Sequence, residues 1–435
     1  MPDLKLQPLM DAIHPRRMVQ ALEPFSGQMA KTPAVETSRL QAPTCYWAVY
    51  ECGGRRVTFK SFFSGQEYES YVAKLRRHYA ERFDRPDHPR GGLLLMPELN
   101  GILWGFPFDP QMPRLHRCLD AAWIAELMGR PTAADAIESK LVSYNPEVSG
   151  IFAYKRSGRT VAYGKMSANG DGQPVYEVMD RLWWSTERAD GELRVAQPLA
   201  YVPEANFLLQ TAAGGRVVSP YRNSRLFLEL ARVAGRSLAL IHACDVTSGP
   251  ERLIDHELSR LRHSLTELEL TAPALYGTLQ LLLGQIEMRT REPEEMRLVP
   301  SHGDYKWNQF LHNRGRFTLI DFELFCQAER WFDLGYFCAY LPPTNPEDWR
   351  DGVATEVLRR AFLEAYAAES GLELDLARIG LYEATTLAIR AMTLVWQHQG
   401  SWHLRASALL DLAIERLVSP EPKLALPAEP SPVAV

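Results

Sequence analysis

The sequence lacks any pair of cysteines spaced to share a metal. Its six, Cys45, Cys52, Cys118, Cys244, Cys326 and Cys338, are scattered without a C-x-x-C. This argues against a zinc site and against a disulfide framework, and points to a reducing compartment. Long apolar runs are missing too. No stretch approaches the roughly 18 consecutive apolar residues of a membrane span, and Met1 to Met18 have no apolar core of the kind a signal peptide carries. A soluble, cytoplasmic protein is the expectation. Nor is there an excess of positive charge. The 48 Lys and Arg against 53 Asp and Glu give a net charge of −5, so the chain has no nucleic-acid footprint. The basic cluster Lys74 to His78 reads as a solvated helix face. No G-x-S-x-G elbow occurs, and His256, His263, His398 and His403 have no Cys or carboxylate partners at ligand spacing.

What is present is an ordinary globular composition, 46% hydrophobic and 23% charged over 435 residues, long enough for two domains. Residues 44–63 read as a strand, a Gly53-Gly54 turn and a second strand, followed by a helix over 67–82. Turn-rich sequence at 86–113 leads to a helix at 118–128. A second hairpin begins at Leu141 and turns at Ser157-Gly158. Tyr50, Gly54, Arg55 and Val57 match Tyr154, Gly158, Arg159 and Val161, 104 residues on. Internal duplication and generic hairpin chemistry both account for such a match. A helix at 175–184 and strands at 194–201 and 206–211 follow. Apolar stripes at helical spacing then mark 224–243, 252–268, 275–288, 353–370 and parts of 376–418. The tail from Ser419 is proline-rich and reads as a disordered end.

One island breaks the helical half, LVPSHGDYKWNQFLHNRGRFTLIDFE at 298–323. Its middle predicts a short hairpin, Gln309 to His312, a turn at Asn313-Arg314-Gly315, then Arg316 to Ile320. Asp304 stands on one shoulder and Asp321 on the other. A tight hairpin brings Asp304, Gln309 and Asp321 to one end. Carboxylate and carbonyl oxygens are the donors a hard cation with bound phosphates requires. A carboxylate free to accept a proton from a hydroxyl completes the set.

HGDYKWNQFL followed by LIDFE resembles the catalytic loop and metal-binding aspartate of the aminoglycoside phosphotransferase and choline kinase-like superfamily, relatives of protein kinases. The resemblance implies an ATP- and magnesium-dependent small-molecule kinase. Asp304 would be the catalytic base, Lys306 the lysine that steadies the transferring phosphate, and Asp321 a metal ligand. His302 opens the motif, and Asp333 in DLGYF matches the aspartate that braces the loop. The family usually has Asn five residues after the base. Here Gln309 holds that place, with Asn308 one residue early as the fallback ligand.

On the nucleotide side the resemblance asks for a strand lysine paired with a helical glutamate. Lys165 and Glu177 fit, with Leu209, Gln210 and Thr211 as the adenine-binding hinge. Backbone amides at Ser149-Gly150 or Ser157-Gly158 would cover the phosphates. Lys60, followed by Glu67 and Glu69, is the rival lysine. The implied fold is α+β and kinase-like, bilobal, with a β-rich N-lobe at 136–213, a helical C-lobe at 214–418, a cap-like α/β domain at 1–135 and the tail at 419–435. The acceptor would be a small hydroxylated molecule such as a sugar, aminoglycoside or amino alcohol. The alternative is a pseudokinase acting as a nucleotide-binding or scaffolding module. The aromatic cluster Trp331, Phe332, Tyr336, Phe337 and Tyr340 reads as core packing, and Glu323 and Glu329 as solvated carboxylates.

Overall fold

The computed structural model describes residues 15–26, 33–41, 44–88, 91–129, 137–170, 172–185, 194–218, 224–290, 297–343, 352–397 and 401–419. The tail beyond Ser419 and His398 lie outside the described residues. Two compact units form, Met1–Gly172 with Leu199–Ala212, and Gln173–Pro198 with Ala213–Val435.

The first unit holds two sheets. After α1 (Pro15–Ser26) come β1 (Ala34–Gln41), β2 (Cys45–Cys52), β3 (Arg55–Phe62), α2 (Gly65–Tyr79), β4 (Leu93–Met96) and β5 (Gly101–Gly105), in the order β1-β2-β3-β5-β4. After α3 (Ala121–Leu127) come β6 (Glu138–Asn145), β7 (Ser149–Arg156), β8 (Arg159–Ser167), β9 (Pro198–Val202) and β10 (Phe207–Thr211), in the order β6-β7-β8-β10-β9. The two orders are the same. In the first sheet the apolar face buries Tyr46, Tyr50 and Phe59 against Met18, Leu22 and Phe25 of α1. In the second, Phe152, Tyr154 and Phe207 pack on Leu115, Cys118 and Ile124.

The repeat extends to the turns. Gly53 and Gly54 (φ 57° and 83°) answer to Ser157 and Gly158 (φ 50° and 74°), the left-handed pair that a two-residue hairpin turn requires. A single 3-10 turn, Pro97–Leu99, ends in left-handed Asn100, and Pro203–Ala205 ends in left-handed Asn206. The match at 104 residues is therefore a repeat of topology rather than generic hairpin chemistry. Sequence reading saw only turns at 86–113, where the structure places β4 and β5. Their apolar runs, LLLM and GILWG, are short and interrupted by Pro97 and Gly101. The strand expected from Arg194 starts at Pro198, because Val195 bridges instead to Leu319.

The second unit is mainly helical: α4 (Gln173–Trp183), α5 (Ser224–Ala243), α6 (Ile254–Thr271), α7 (Pro273–Thr290), α8 (Trp331–Tyr340), α9 (Gly352–Ser370), α10 (Leu376–Gln397) and α11 (Trp402–Val418). Leu279, Leu282, Leu387, Ala391, Leu409 and Leu410 meet in its core. Two three-stranded sheets interrupt the helices. One joins β11 (Arg216–Val217), β14 (Phe310–Asn313) and β15 (Arg316–Leu319). The other joins β12 (Glu251–Arg252), β16 (Cys326–Glu329) and β13 (Leu298–Ser301). Among the described residues no helix is long and apolar enough to cross a membrane.

Candidate active site

The site is built on the loop from β13 to β14. β13 pairs antiparallel with β16, and the chain then bends through His302, Gly303 and Asp304. Gly303 adopts φ 80°, and a Cβ there would lie 1.8 Å from the Leu324 carbonyl oxygen. Only glycine fits between the two arms of the loop. Asp333, fully buried in the first turn of α8, accepts the backbone N–H of His302 at 2.6 Å and of Gly303 at 3.2 Å. Arg252 takes the other side of the bend, its guanidinium donating to the Gly303 carbonyl at 2.7 Å while paired with buried Glu257. Burial pushes the Asp333 carboxyl up to about 7, against the two N–H donors that pull it down.

His302 is buried beneath the loop, its Nε2 3.0 Å from the Ile320 carbonyl and its Nδ1 3.3 Å from the Asp304 amide. The carbonyl accepts, so Nε2 carries the proton and Nδ1 accepts from the amide. Burial lowers the imidazole pKa, which keeps the ring neutral as this tautomer requires. One ring thus ties the loop before the hairpin to the strand after it.

Gln309 lies at the end of a 3-10 turn, Trp307–Gln309, rather than on the expected strand. Its buried side chain reaches both carboxylates, with Nε2 2.6 Å from Asp304 Oδ2 and 3.0 Å from Asp321 Oδ2. Asn308 is exposed on the same turn. The turn at Arg314-Gly315 (φ 49° and 77°) closes β14 on β15, and Ile320 N–H donates to the Gln309 carbonyl at 3.0 Å. Asp321 follows in a left-handed conformation, φ 71°, uncommon outside glycine though Asp tolerates it better than most residues. Its side chain thereby comes within reach of Gln309.

Asp304 Oδ1 accepts from Lys306 Nζ at 2.8 Å and from Tyr336 OH at 2.7 Å. Lys306 also sits over the Tyr340 ring, 5.2 Å from its centroid. Tyr336 was read as core packing, yet it holds the carboxylate at the centre of the site. Asp333, Tyr336 and Tyr340 stand at i, i+3 and i+7 on one face of α8, a spacing that could have revealed it. Glu329 is not a solvated carboxylate: Arg378 grips it with two bonds of 2.9 and 3.0 Å, and Tyr382 donates to it. Sequence reading had no signal for Arg252, which lies far from the motif in the chain.

The nucleotide-side residues divide between the units. Lys165 lies on β8 opposite Ile151 and Leu208. Leu209, Gln210 and Thr211 run along β10 beside Gly164, Tyr163 and Ala162. Glu177 is on α4 in the second unit, where it accepts from Gln173 Nε2 at 2.9 Å and Ser248 Oγ at 2.7 Å. The rival Lys60 is buried on β3 and ion-paired with Glu147. Among the described residues no cluster of three His, Cys, Asp or Glu side chains stands ready for a metal.

Residues 172–372 match the model of the phosphotransferase enzyme family. A candidate aminoglycoside phosphotransferase from Ralstonia eutropha is similar in structure, with TM-score 0.52 and 16% identity over 70% of this chain and 98% of that one. A choline/ethanolamine kinase family protein from Mesorhizobium loti gives TM-score 0.46 and 17% identity over 68% of this chain and 94% of that one. No curated protein matches the chain. The fold is α+β and kinase-like, and the family match spans the whole loop from His302 to Asp333. Over those residues the chain resembles the phosphotransferase enzyme family, in line with the resemblance that the HGD and IDF segments carry.

Proposed function

We propose that the protein transfers the γ-phosphate of ATP, with magnesium, to a hydroxyl of a small molecule. The observation that carries this reading is the meeting of Asp304, Gln309 and Asp321 around one point. Two carboxylate oxygens within 2.6 and 3.0 Å of one amide repel unless a donor or a cation stands between them. All the oxygens available there are hard, which suits magnesium. Asp321 and Gln309 would hold the ion, Gln309 through Oε1 once its amide turns over. A magnesium ion bound there would offset the charge of the phosphates.

Asp304 would receive the acceptor hydroxyl on Oδ2 and take its proton. Lys306 and Tyr336 hold Oδ1, which fixes the plane of the carboxylate. Asp333, Arg252 and His302 keep the loop from shifting, so the contribution is one of positioning and charge. Lys165 and Glu177 are proposed to serve the α- and β-phosphates, and Leu209 to Thr211 the adenine. On this reading 136–213 forms the N-lobe, 214–418 the C-lobe and 1–135 an addition to the kinase core, in a cytoplasmic protein without a nucleic-acid partner. The acceptor class is a sugar, aminoglycoside or amino alcohol.

Calorimetry with ATP tests the metal part. Wild type is expected to bind ATP more tightly with Mg²⁺, and Asp321→Ala to lose that gain. Unchanged Mg-ATP affinity in Asp321→Ala would move the metal site elsewhere. An ATP-consumption screen against pooled hydroxylated compounds then identifies the acceptor class.

A further inference from the structure

The two sheets of the first unit allow the fate of each lysine to be compared at the same register. Lys60 faces Trp47 on one side and Ile102 on the other. Lys165 faces Ile151 and Leu208. Trp47 and Ile151 are 104 residues apart, like the matching turn residues, and Ile102 and Leu208 each stand two residues after a left-handed asparagine. The lysines are not 104 residues apart, because β8 carries a register shift opposite Tyr154 and Lys155 that inserts one residue. Counting along the chain hides the equivalence; pairing reveals it. Gly65-Gln66 after β3 and Gly172-Gln173 after β8 likewise open the helices that follow.

The first lysine has a different use. Lys60 is buried, ion-paired with Glu147, and its Nζ lies 4.5 Å from the centroid of the Tyr71 ring. Tyr71 on α2 donates to the other Glu147 oxygen at 2.6 Å. Glu147 belongs to the turn between β6 and β7, at a left-handed φ of 59°. Its N–H donates to Asp109 Oδ2 at 2.8 Å, and Asp109 also accepts from Tyr144 OH at 2.8 Å and from the amides of Gln111 and Met112. The next residue, Val148, accepts from Ala168 N–H at 2.8 Å, beyond the end of the strand that carries Lys165. The turn is thus fixed by side chains of the first sheet and its helix.

We propose that Lys60 and Tyr71 are positioning residues for the nucleotide: the first sheet is a second copy of the nucleotide-lobe sheet whose lysine, through Glu147, sets the turn of the β6–β7 hairpin. The inference rests on the functional reading above, in which the corresponding turn of the kinase fold covers the phosphates. A half-buried carboxylate held by a strand lysine and a helix tyrosine fixes a loop at one geometry, at the cost of a largely desolvated ion pair. Ser149 and Gly150, the first residues of β7 and one of the two expected phosphate covers, follow within three residues.

The test uses the full chain with Lys60→Met, Lys60→Arg, Tyr71→Phe and Lys165→Met. ATP affinity is read by calorimetry, turnover by ATP consumption, and amide exchange over residues 145–150 by mass spectrometry. Lys60→Met is expected to speed exchange in that turn and to weaken ATP binding at least fivefold with a smaller change in kcat. Lys60→Arg should recover most of the affinity. Tyr71→Phe, a milder loss at the same carboxylate, should shift both readouts in the same direction and stands in if Lys60→Met does not fold. Lys165→Met should abolish turnover. Unchanged exchange and affinity in Lys60→Met and Tyr71→Phe would overturn the proposal, as would loss of turnover from Lys60→Met with none from Lys165→Met. If wild type binds no ATP, the functional reading fails, and exchange alone decides whether Lys60 sets the turn.

Discussion

Gln309 is the residue on which the site turns. The sequence offers two neighbours as the ligand, Gln309 at the place where the family usually has Asn and Asn308 one residue early. The chain forms a 3-10 turn there, which buries Gln309 against Asp304 and Asp321 and leaves Asn308 exposed. Gln309→Ala is expected to weaken Mg-ATP binding about tenfold or more, the scale of losing a ligand or its supporting contact, whereas Gln309→Asn retains a good part of it. Asn308→Ala should stay within about twofold, since an exposed side chain offers the site nothing. Calorimetry decides between them, and the opposite ranking would show the register to be wrong by one. His302, Asp304, Asp321 and Asp333 were legible because they fall, in order, in three short segments, HGD, IDF and DLG, within about 30 residues. Tyr336 packs against the core as its spacing suggested, but its hydroxyl bond to Asp304 was hidden on an apolar helix, and Arg252 was invisible because its contact with Gly303 spans a long stretch of chain.

At the scale of elements, the hairpin and the long helices could be read from turn chemistry and apolar spacing, while β4 and β5 could not. Four or five residues give too little periodicity to separate a strand from a turn-rich loop. That failure also concealed the Asp109 cluster, which forms beyond β5 and joins the two sheets. Burial pushes the Asp109 carboxyl up to about 6, while the Glu147 amide, Tyr144 and the Gln111 amide pull it down. The folded protein then holds this proton up to about pH 6, and the unfolded chain only to about pH 4. Between those values the folded state binds more protons, so this group's contribution to stability declines as pH rises and is level above about 6. Denaturant unfolding of wild type and Asp109→Asn at several pH values should show the wild-type stability, relative to the variant, falling by on the order of 3 kcal/mol from pH 4 to 7. A difference independent of pH would place the proton elsewhere.

Within the whole molecule, the first unit repeats one five-stranded sheet topology, and the two copies give their strand lysines different surroundings. Four matching residues were all that the sequence showed of it, since the inserted residue in β8 breaks the count before the lysines are reached. The kinase-like fold, by contrast, was legible from one short loop, through the resemblance carried by its HGD and IDF segments. The most direct test of the account is turnover in Asp304→Asn, measured as acceptor-dependent ATP consumption beside ATP affinity in the same preparation. The account predicts nearly unchanged affinity and a fall in turnover of roughly 10²-fold or more, the scale of a lost general base. Near wild-type turnover in that variant would contradict it.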